Sequence, residues 1–455
     1  MVNKPAVAAD RAVPALILKA GRYPLHSGGL AAIRTLGRLG VPVYAITEDR
    51  FTPAALSRYC SGRFGSPVST VAGSQDPRQA VTALRAIGRR IGARCVLVPV
   101  DDESAVLIAE HAGDLAEHFL FPGIAPGLPR QLANKAALFA LCRQFGVPAP
   151  HTVAPSTVAE LTAYAAAGTF PVIAKNAEAW VARHAALVPG TTVLRTPAEL
   201  LALVRPGGAA LNLILQEYLP PEHAQDWITH LYCDASGEAV VLGTGIKVRS
   251  WPPHAGVTAC ARVADNPVLA LLARRFCRDV GFRGVADLDW RLDLRDGQYK
   301  LVDFNPRMGN QFRLFETRAG ADVVRALHLD LTGRVIPAGG QIVGRRIIVE
   351  HVDLPARLAY RRSDAPLPAA ASRAGPRHRA GTELAWLSAA DPVPFLAMWL
   401  RFARPAAASI ARVSRLPGGW RLPAAQSRLA GSRPRRRAGR PPADGKSVNI
   451  VRTER

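Results

Sequence analysis

Short continuous apolar runs alternate with stretches where apolar residues recur every three or four positions across residues 10–125, which predicts an open α/β domain. Residues 14–18 (Pro-Ala-Leu-Ile-Leu) read as a buried strand. After a loop with two glycines, His26-Ser27-Gly28-Gly29, the residues Leu30, Ile33, Leu36 and Leu39 repeat at helical spacing until Gly40 stops the helix. Residues 41–46 begin a second strand. A further strand, 95–100, ends in Asp101-Asp102-Glu103, and the carboxyl end of a parallel strand would deliver those acids into a crevice. The glycine loop with Glu48-Asp49 downstream imitates a dinucleotide fingerprint, but its spacing is not G-x-G-x-x-G, which argues against an NAD or FAD site.

From residue 126 the pattern changes. Asn134-Lys135 opens a helix that ends in the connector Gly146-Val147-Pro148. Residues 170–175, 213–218, 229–233, 239–242 and 246–248 read as strands and 267–280 as a helix, so 126–335 is expected to be α+β rather than a second doubly wound sheet. The clearest alternation runs over 285–294, with Ala286, Leu288, Trp290 and Leu292 on one face and Asp287, Asp289, Arg291 and Asp293 on the other. The next strand places Asp303, Asn305 and Arg307 at period two, with Pro306 a break in regular pairing. A three-residue hairpin at Arg295-Asp296-Gly297, with Gly297 left-handed, would set Asp289 opposite Asp303, whereas a two-residue turn would put them on opposite faces. Carboxylates facing across strands repel, so the first arrangement calls for a cation between them.

Residues 336–411 form a C-terminal extension: a strand-like 346–352, a Pro/Ala/Arg-rich stretch to about 380, and an amphipathic segment at 395–402. Phe395, Leu396, Trp399, Leu400 and Phe402 of that segment are expected to dock on the core rather than on a membrane surface. Residues 412–455 are rich in Arg, Pro, Ala and Gly, and are expected to be a disordered basic tail, dispensable for chemistry, that contacts anionic surfaces if it contacts anything. The tail changes the meaning of the net charge of +23. Residues 401–455 hold 14 Lys and Arg against two acids, leaving the other 400 residues with 44 against 33. With Trp420 the lone aromatic after residue 403, the chain does not read as a specific nucleic-acid binder. Six scattered cysteines without metal spacing read as reduced thiols, and with no apolar run of 18 residues the cytoplasm is the expected compartment.

The ordered motifs carry the chemistry. They are Leu132-Ala-Asn-Lys135; Phe170-Pro-Val-Ile-Ala-Lys175; Leu215-Gln-Glu-Tyr-Leu219; Lys247-Val-Arg249 with Pro252-Pro-His-Ala-Gly256; and Asp287-Leu-Asp289 leading across a D-G turn to Asp303-Phe-Asn305-Pro306-Arg307. Over about residues 14–335 this series resembles the ATP-grasp superfamily, and within it the carboxylate-amine ligases related to D-aspartate ligase. The resemblance implies an ATP-grasp fold of two α+β lobes behind a Rossmann-like N-terminal domain. It also implies an ATP-dependent ligase that joins a carboxylate to an amine, both small molecules of amino-acid or peptide type, through an acyl phosphate. A carboxylase or kinase-like phosphotransferase on the same fold is the alternative, and a nucleic-acid or membrane-surface binder acting through the tail is the alternative outside it.

Lys135 and Lys175 would then hold phosphates. Gln216, Glu217, Tyr218 and Leu219 would form the hinge that receives adenine, with Glu222 and Asp226 as rival ribose ligands. Asp289, Asp303 and Asn305 would bind Mg²⁺, one ion or two, with Mn²⁺ the alternative. Lys247, Arg249 and Arg307 would serve the phosphates, the carboxylate substrate and the acyl phosphate. These types suit the task, because ATP carries about four negative charges and hard oxygen ligands suit Mg²⁺. The loop after the hinge, Pro220-Pro-Glu222-His-Ala-Gln-Asp226, departs from the family's Gly-rich form, as does 179–187, the expected flap.

Overall fold

The computed structural model describes residues 7–65, 76–178, 187–188, 190–203, 211–254, 256–362 and 381–413, with Arg362 and the last ten described by their backbone alone. Most of the expected flap and all of the tail beyond Val413 lie outside the described residues. The compact unit considered below is Met1–Arg404.

Its first layer is a parallel sheet in the order β3-β2-β1-β4-β5, made of β1 (Ala15–Leu18), β2 (Val43–Thr47), β3 (Gly62–Gly65), β4 (Cys95–Pro99) and β5 (Phe119–Leu120). β1 is wholly buried, and the helix Ser27–Gly37 packs Ile33 and Leu36 into one cluster with Ala15 and Ile17 of that strand. At the carboxyl end of β4, Asp101 accepts from the N–H groups of Ala20 (3.3 Å) and Gly21 (2.7 Å) and so ties the crevice between β1 and β4.

A smaller antiparallel sheet follows in the order β6-β9-β7-β8, from β6 (Thr152–Val153), β7 (Val172–Asn176), β8 (Thr192–Leu194) and β9 (Leu213–Glu217). The third sheet has seven strands: β10 (Ala224–Cys233), β11 (Ala239–Trp251), β12 (Val257–Val263), β13 (Gly284–Asp293), β14 (Gln298–Asn305), β15 (Arg346–Ile348) and β16 (Thr382–Leu384). Their order is β14-β13-β10-β11-β12-β15-β16, antiparallel except for β15 beside β16.

Two segments differ from the sequence reading. Residues 239–242 and 246–248 are not separate strands but parts of β11, which the glycines between them had disguised. Those glycines accommodate Phe315: a Cβ on Gly243 would lie 2.4 Å from a Phe315 ring carbon, so the ring requires bare backbone. Residues 346–352 stay extended only to Ile348, and a helix, Glu350–Arg362, occupies the start of the Pro/Ala/Arg-rich stretch. It includes Pro355 in its interior. The remainder of that stretch, 363–380, is outside the described residues.

The helix Val393–Val413 docks on the core, although not by the whole expected face. Met398 is fully buried in a cluster with Leu30, Val349 and Trp386, and Phe395 and Trp399 pack against it. Leu396 and Leu400 point outward at 60% and 72% exposure. Buried charges fasten the N-terminal helix to the rest of the unit. Arg34 Nε donates to Asp391 Oδ2 (2.8 Å) and its Nη2 to the Asp391 carbonyl (2.7 Å). Asp322 accepts from Thr35 Oγ1 (2.6 Å) and Arg313 Nη1 (2.7 Å) while capping the helix Val323–Leu331. The six cysteines are free thiols, all buried except the half-buried Cys60. Among the described residues no helix is long and apolar enough to cross a membrane.

Candidate functional site

One face of the large sheet gathers the charged residues. Asp289 on β13 sits opposite Asp303 on β14 and Ile228 on β10, and Asp287 opposite Asn305 and His230. The facing acids were an expectation of the sequence, but the route to them is different. The turn contains four residues, since Asp293 pairs with Gln298, and Gly297 within it has φ +71°. Val302 then forms a bulge, which adds one residue to β14 and brings Asp303 back opposite Asp289.

Lysines supply the cations that such facing acids require. Lys247 Nζ lies 2.8 Å from Asp289 Oδ1, and Lys135 Nζ donates to Asp303 Oδ1 at 3.3 Å. Lys135 stands at the start of the helix Lys135–Gln144, which Asn134 caps by accepting from the N–H groups of Ala136 and Ala137. Burial, with Asp287 and Asp303 nearby, raises the Asp289 carboxyl above its ordinary value although Lys247 opposes this. At Asp303 burial acts in the same direction, but Lys135, Lys175 and Arg307 outweigh it and lower the carboxyl. The Asn305 Nδ2 donates to the Asp287 carbonyl (3.0 Å), which fixes which end of its amide is the oxygen. Among the described residues no three His, Cys, Asp or Glu side chains converge into a cage of their own for a metal.

Arg307 stands where the large sheet meets the parallel one. Its Nη1 donates to Asp287 Oδ2 (3.1 Å), and its Nε lies 3.4 Å from Asp102 Oδ1. Burial pushes Asp102 up to about 6, against the pull of Arg307. Asp102 belongs to the acidic run after β4, so the crevice read from the sequence does open toward these residues. Asp287 is held below the usual carboxylate range: burial opposes this, but His230, Arg307 and Lys247 prevail. His230 Nε2 lies 3.1 Å from Asp287 Oδ1. Asp287, Asp102 and His230 were not among the expected site residues, although Asp287 shares the polar face with Asp289 and that alternation could have nominated it.

Arg249 is a correction. Period two should have put it beside Lys247, but the pairing of β11 with β12 slips between the two. Arg249 Nε instead donates to Asp353 Oδ1 (2.7 Å) on the helix Glu350–Arg362. Its strongest contact is therefore with the C-terminal extension.

A cleft of about 740 Å³, open mouth included, lies between the small sheet and the large one. Lys175, Gln216, Tyr218, Leu219, His254 and Arg291 are among its lining residues. Lys175 Nζ donates to Gln216 Oε1 (3.0 Å), and Gln216 Nε2 to Thr152 Oγ1 (3.1 Å). Burial lowers the Lys175 ammonium to about 8, although Asp303 supports the charge. The hinge is narrower than the sequence suggested. Gln216 pairs with Thr152 and Ile173 on its two sides, and the Glu217 N–H donates to the His151 carbonyl (2.8 Å), so of the four residues expected to form a hinge only Tyr218 and Leu219 lie beyond the strand. The Glu217 carboxylate accepts from Arg295 Nη2 (2.9 Å). Neither rival ribose ligand lines the cleft. Asp226 lies 3.6 Å from Arg291, and Glu222 is exposed in the turn Pro221–His223.

No family model matches the chain. It is 23% identical over 295 residues to the D-aspartate ligase of Enterococcus faecium (strain Aus0004), covering 62% of this chain and 68% of that one. Among solved structures, the L-amino acid ligase from Bacillus licheniformis superposes with a TM-score of 0.53 at 15% identity, over 71% of this chain and 75% of that one. The biotin carboxylase domain of the Hydrogenobacter thermophilus 2-oxoglutarate carboxylase, in complex with MgADP, ADP and bicarbonate, gives 0.52 at 15% identity, over 73% and 72%. The chain therefore has the ATP-grasp fold and resembles the carboxylate-amine ligases related to D-aspartate ligase.

Proposed function

We propose that this chain is an ATP-dependent carboxylate-amine ligase whose substrates are an amino acid or small carboxylate and an amine. The observation that carries the reading is the facing pair Asp289 and Asp303, each matched to a lysine, beside a cleft with Lys175 at its wall. Carboxylate and amide oxygens on Asp289, Asp303 and Asn305 form the hard donor set that suits Mg²⁺, its shell completed by phosphate oxygens and water. The ion would neutralise charge on the transferred phosphoryl group. Tyr218 and Leu219 would present backbone groups to adenine, while Lys175, Lys135 and Lys247 hold the phosphates as they exchange their present partners for nucleotide oxygens.

Phosphoryl transfer to the substrate carboxylate yields an acyl phosphate, which the amine attacks to form the amide and release phosphate. Arg307 would stabilise the charge that develops on the acyl oxygen. Its contact with Asp102 makes the parallel sheet the candidate platform for the acceptor. A carboxylase shares the fold, and the sequence relationship to D-aspartate ligase favours the amide-forming reading. Pooled amino acids and small carboxylates, assayed for ATP-dependent phosphate release with mass spectrometry of the product, test it. An amide product supports the ligase, and a carboxylated product obtained with bicarbonate would replace it.

The lowered Lys175 ammonium gives the cleft a pH signature. Phosphate binds the charged form, so that form is favoured in the complex. ATP affinity should be nearly constant well below pH 8 and weaken as the pH rises through about 8, where the free protein loses the proton. Dissociation constants for ATP between about pH 6.5 and 9.5 check this, and a flat profile across pH 8 would remove Lys175 from the phosphates.

A further inference from the structure

The helix Val393–Val413 meets the core with only one of its two apolar faces. Met398 is buried there, with Phe395 and Trp399 packed beside it. Val393, Leu396 and Leu400, spaced three and four positions apart, form a second stripe, and all three are exposed. A loop of the parallel-sheet layer adjoins the helix. Arg401 Nη1 and Nη2 donate to the two carboxylate oxygens of Asp49 (3.0 and 2.9 Å), which brings the loop alongside. Two residues on, the Phe51 ring is 60% exposed, and the Arg50 guanidinium lies over it at 4.7 Å from the centroid. Single exposed apolar residues need no explanation, but a stripe of them on a folded element marks a contact surface.

The charge of the surrounding sequence selects the partner. From Val393 to Ala443 the chain has 11 arginines and no Asp or Glu. Asp49, which touches the helix, is matched to Arg401 and so presents no free negative charge. An anionic bilayer takes up both features, because leucine and phenylalanine enter its acyl boundary while arginine stays among the headgroups. We propose that this face of the helix, with the adjoining Arg50 and Phe51, seats the protein on the surface of a membrane that contains anionic lipid. RNA would match the arginines but would leave Leu396 and Leu400 without a use. A second copy of the chain would bring two arginine-rich segments together, which repel.

The test is sedimentation of the full-length protein with vesicles of phosphatidylcholine, either alone or with about 30% phosphatidylglycerol. The anionic vesicles should bind the protein at least about tenfold more tightly than the neutral ones, and the advantage should shrink as salt rises from about 0.05 to 0.5 M. Leu396→Glu combined with Leu400→Glu removes the apolar contact and should weaken binding to the anionic vesicles at least about tenfold. Both positions face solvent, so thermal unfolding of this variant should stay within a few degrees of wild type. Arg435→Gln, Arg436→Gln and Arg437→Gln together leave the stripe intact and should weaken binding by about fivefold for each arginine that meets the lipid. Equal binding to the two kinds of vesicle, or wild-type affinity in the double leucine variant, overturns the proposal. A wild type that sediments with neither vesicle also overturns it, whether the protein binds RNA instead or forms a dimer that the leucine variant loses.

Discussion

Asp303→Asn is expected to lower Mg-dependent ADP formation by at least about 10²–10³-fold, the scale on which removal of one well-placed electrostatic group acts. Asp303 faces Asp289 across the hairpin and is surrounded by Lys135, Lys175 and Arg307. Conversion to the amide removes a charged oxygen ligand and leaves the two lysines with one fewer counter-charge. The fold should survive, because the Asp303 side chain remains 28% exposed and caps no helix. Asp289→Asn should also weaken turnover strongly. The control is thermal unfolding of each variant within a few degrees of wild type. Turnover of Asp303→Asn close to wild type would end the assignment of this strand pair to the metal.

The largest effect on stability is expected at Asp322, far from any proposed chemistry. Its carboxylate is completely buried and accepts from Thr35, from Arg313, and from the backbone N–H groups of Val324 and Arg325. Asp322→Ala would strand the buried Arg313 guanidinium with fewer partners and uncap a helix. Breaking one side of a buried ion pair costs about 3–5 kcal/mol, and a lost cap about 1 kcal/mol more. Compensation is at hand from Glu316 and Glu383, which also contact Arg313, so the lower part of that range is expected. Asp49→Ala, which opens the half-exposed pair with Arg401, should cost less than about 1 kcal/mol. Urea unfolding of the two variants compares them directly. A midpoint for Asp322→Ala that matches Asp49→Ala would show the buried network to be idle.

The parallel sheet was legible because its strands are continuous apolar runs and its first helix has a clean three-to-four spacing ended by Gly40. The hairpin was legible in outcome and misread in detail. Tyr299 and Leu301 share one phase while Phe304 falls in the other, so no regular strand can bury all three. The bulge at Val302 resolves that conflict, and the same phase break, weighed in the sequence, would have exposed it. β11 was hidden because Gly243 and Gly245 contribute no side chain to an alternation, and their reason lies 70 residues downstream at Phe315. The partners of Arg249 and of His254, whose N–H donates to Tyr360 Oη, escaped for a related cause. Those partners, Asp353 and Tyr360, sit on a helix that a proline and several arginines had masked as an irregular stretch. Local pattern reports which face a residue takes, and it carries no information about a partner a hundred positions away.

The bond between Arg34 and Asp391 has a consequence for the order in which the molecule can be made. The two residues are 357 positions apart. At a synthesis rate of roughly 5–20 residues per second, the acid emerges on the order of 20–70 s after the arginine. The N-terminal sheet and its helix have all their strands long before that, yet the helix carries a guanidinium bound for burial with nothing to neutralise it. Until the last part of the chain arrives, that surface must stay wet. Final burial of Arg34 is thus expected to wait for the segment that carries Asp391.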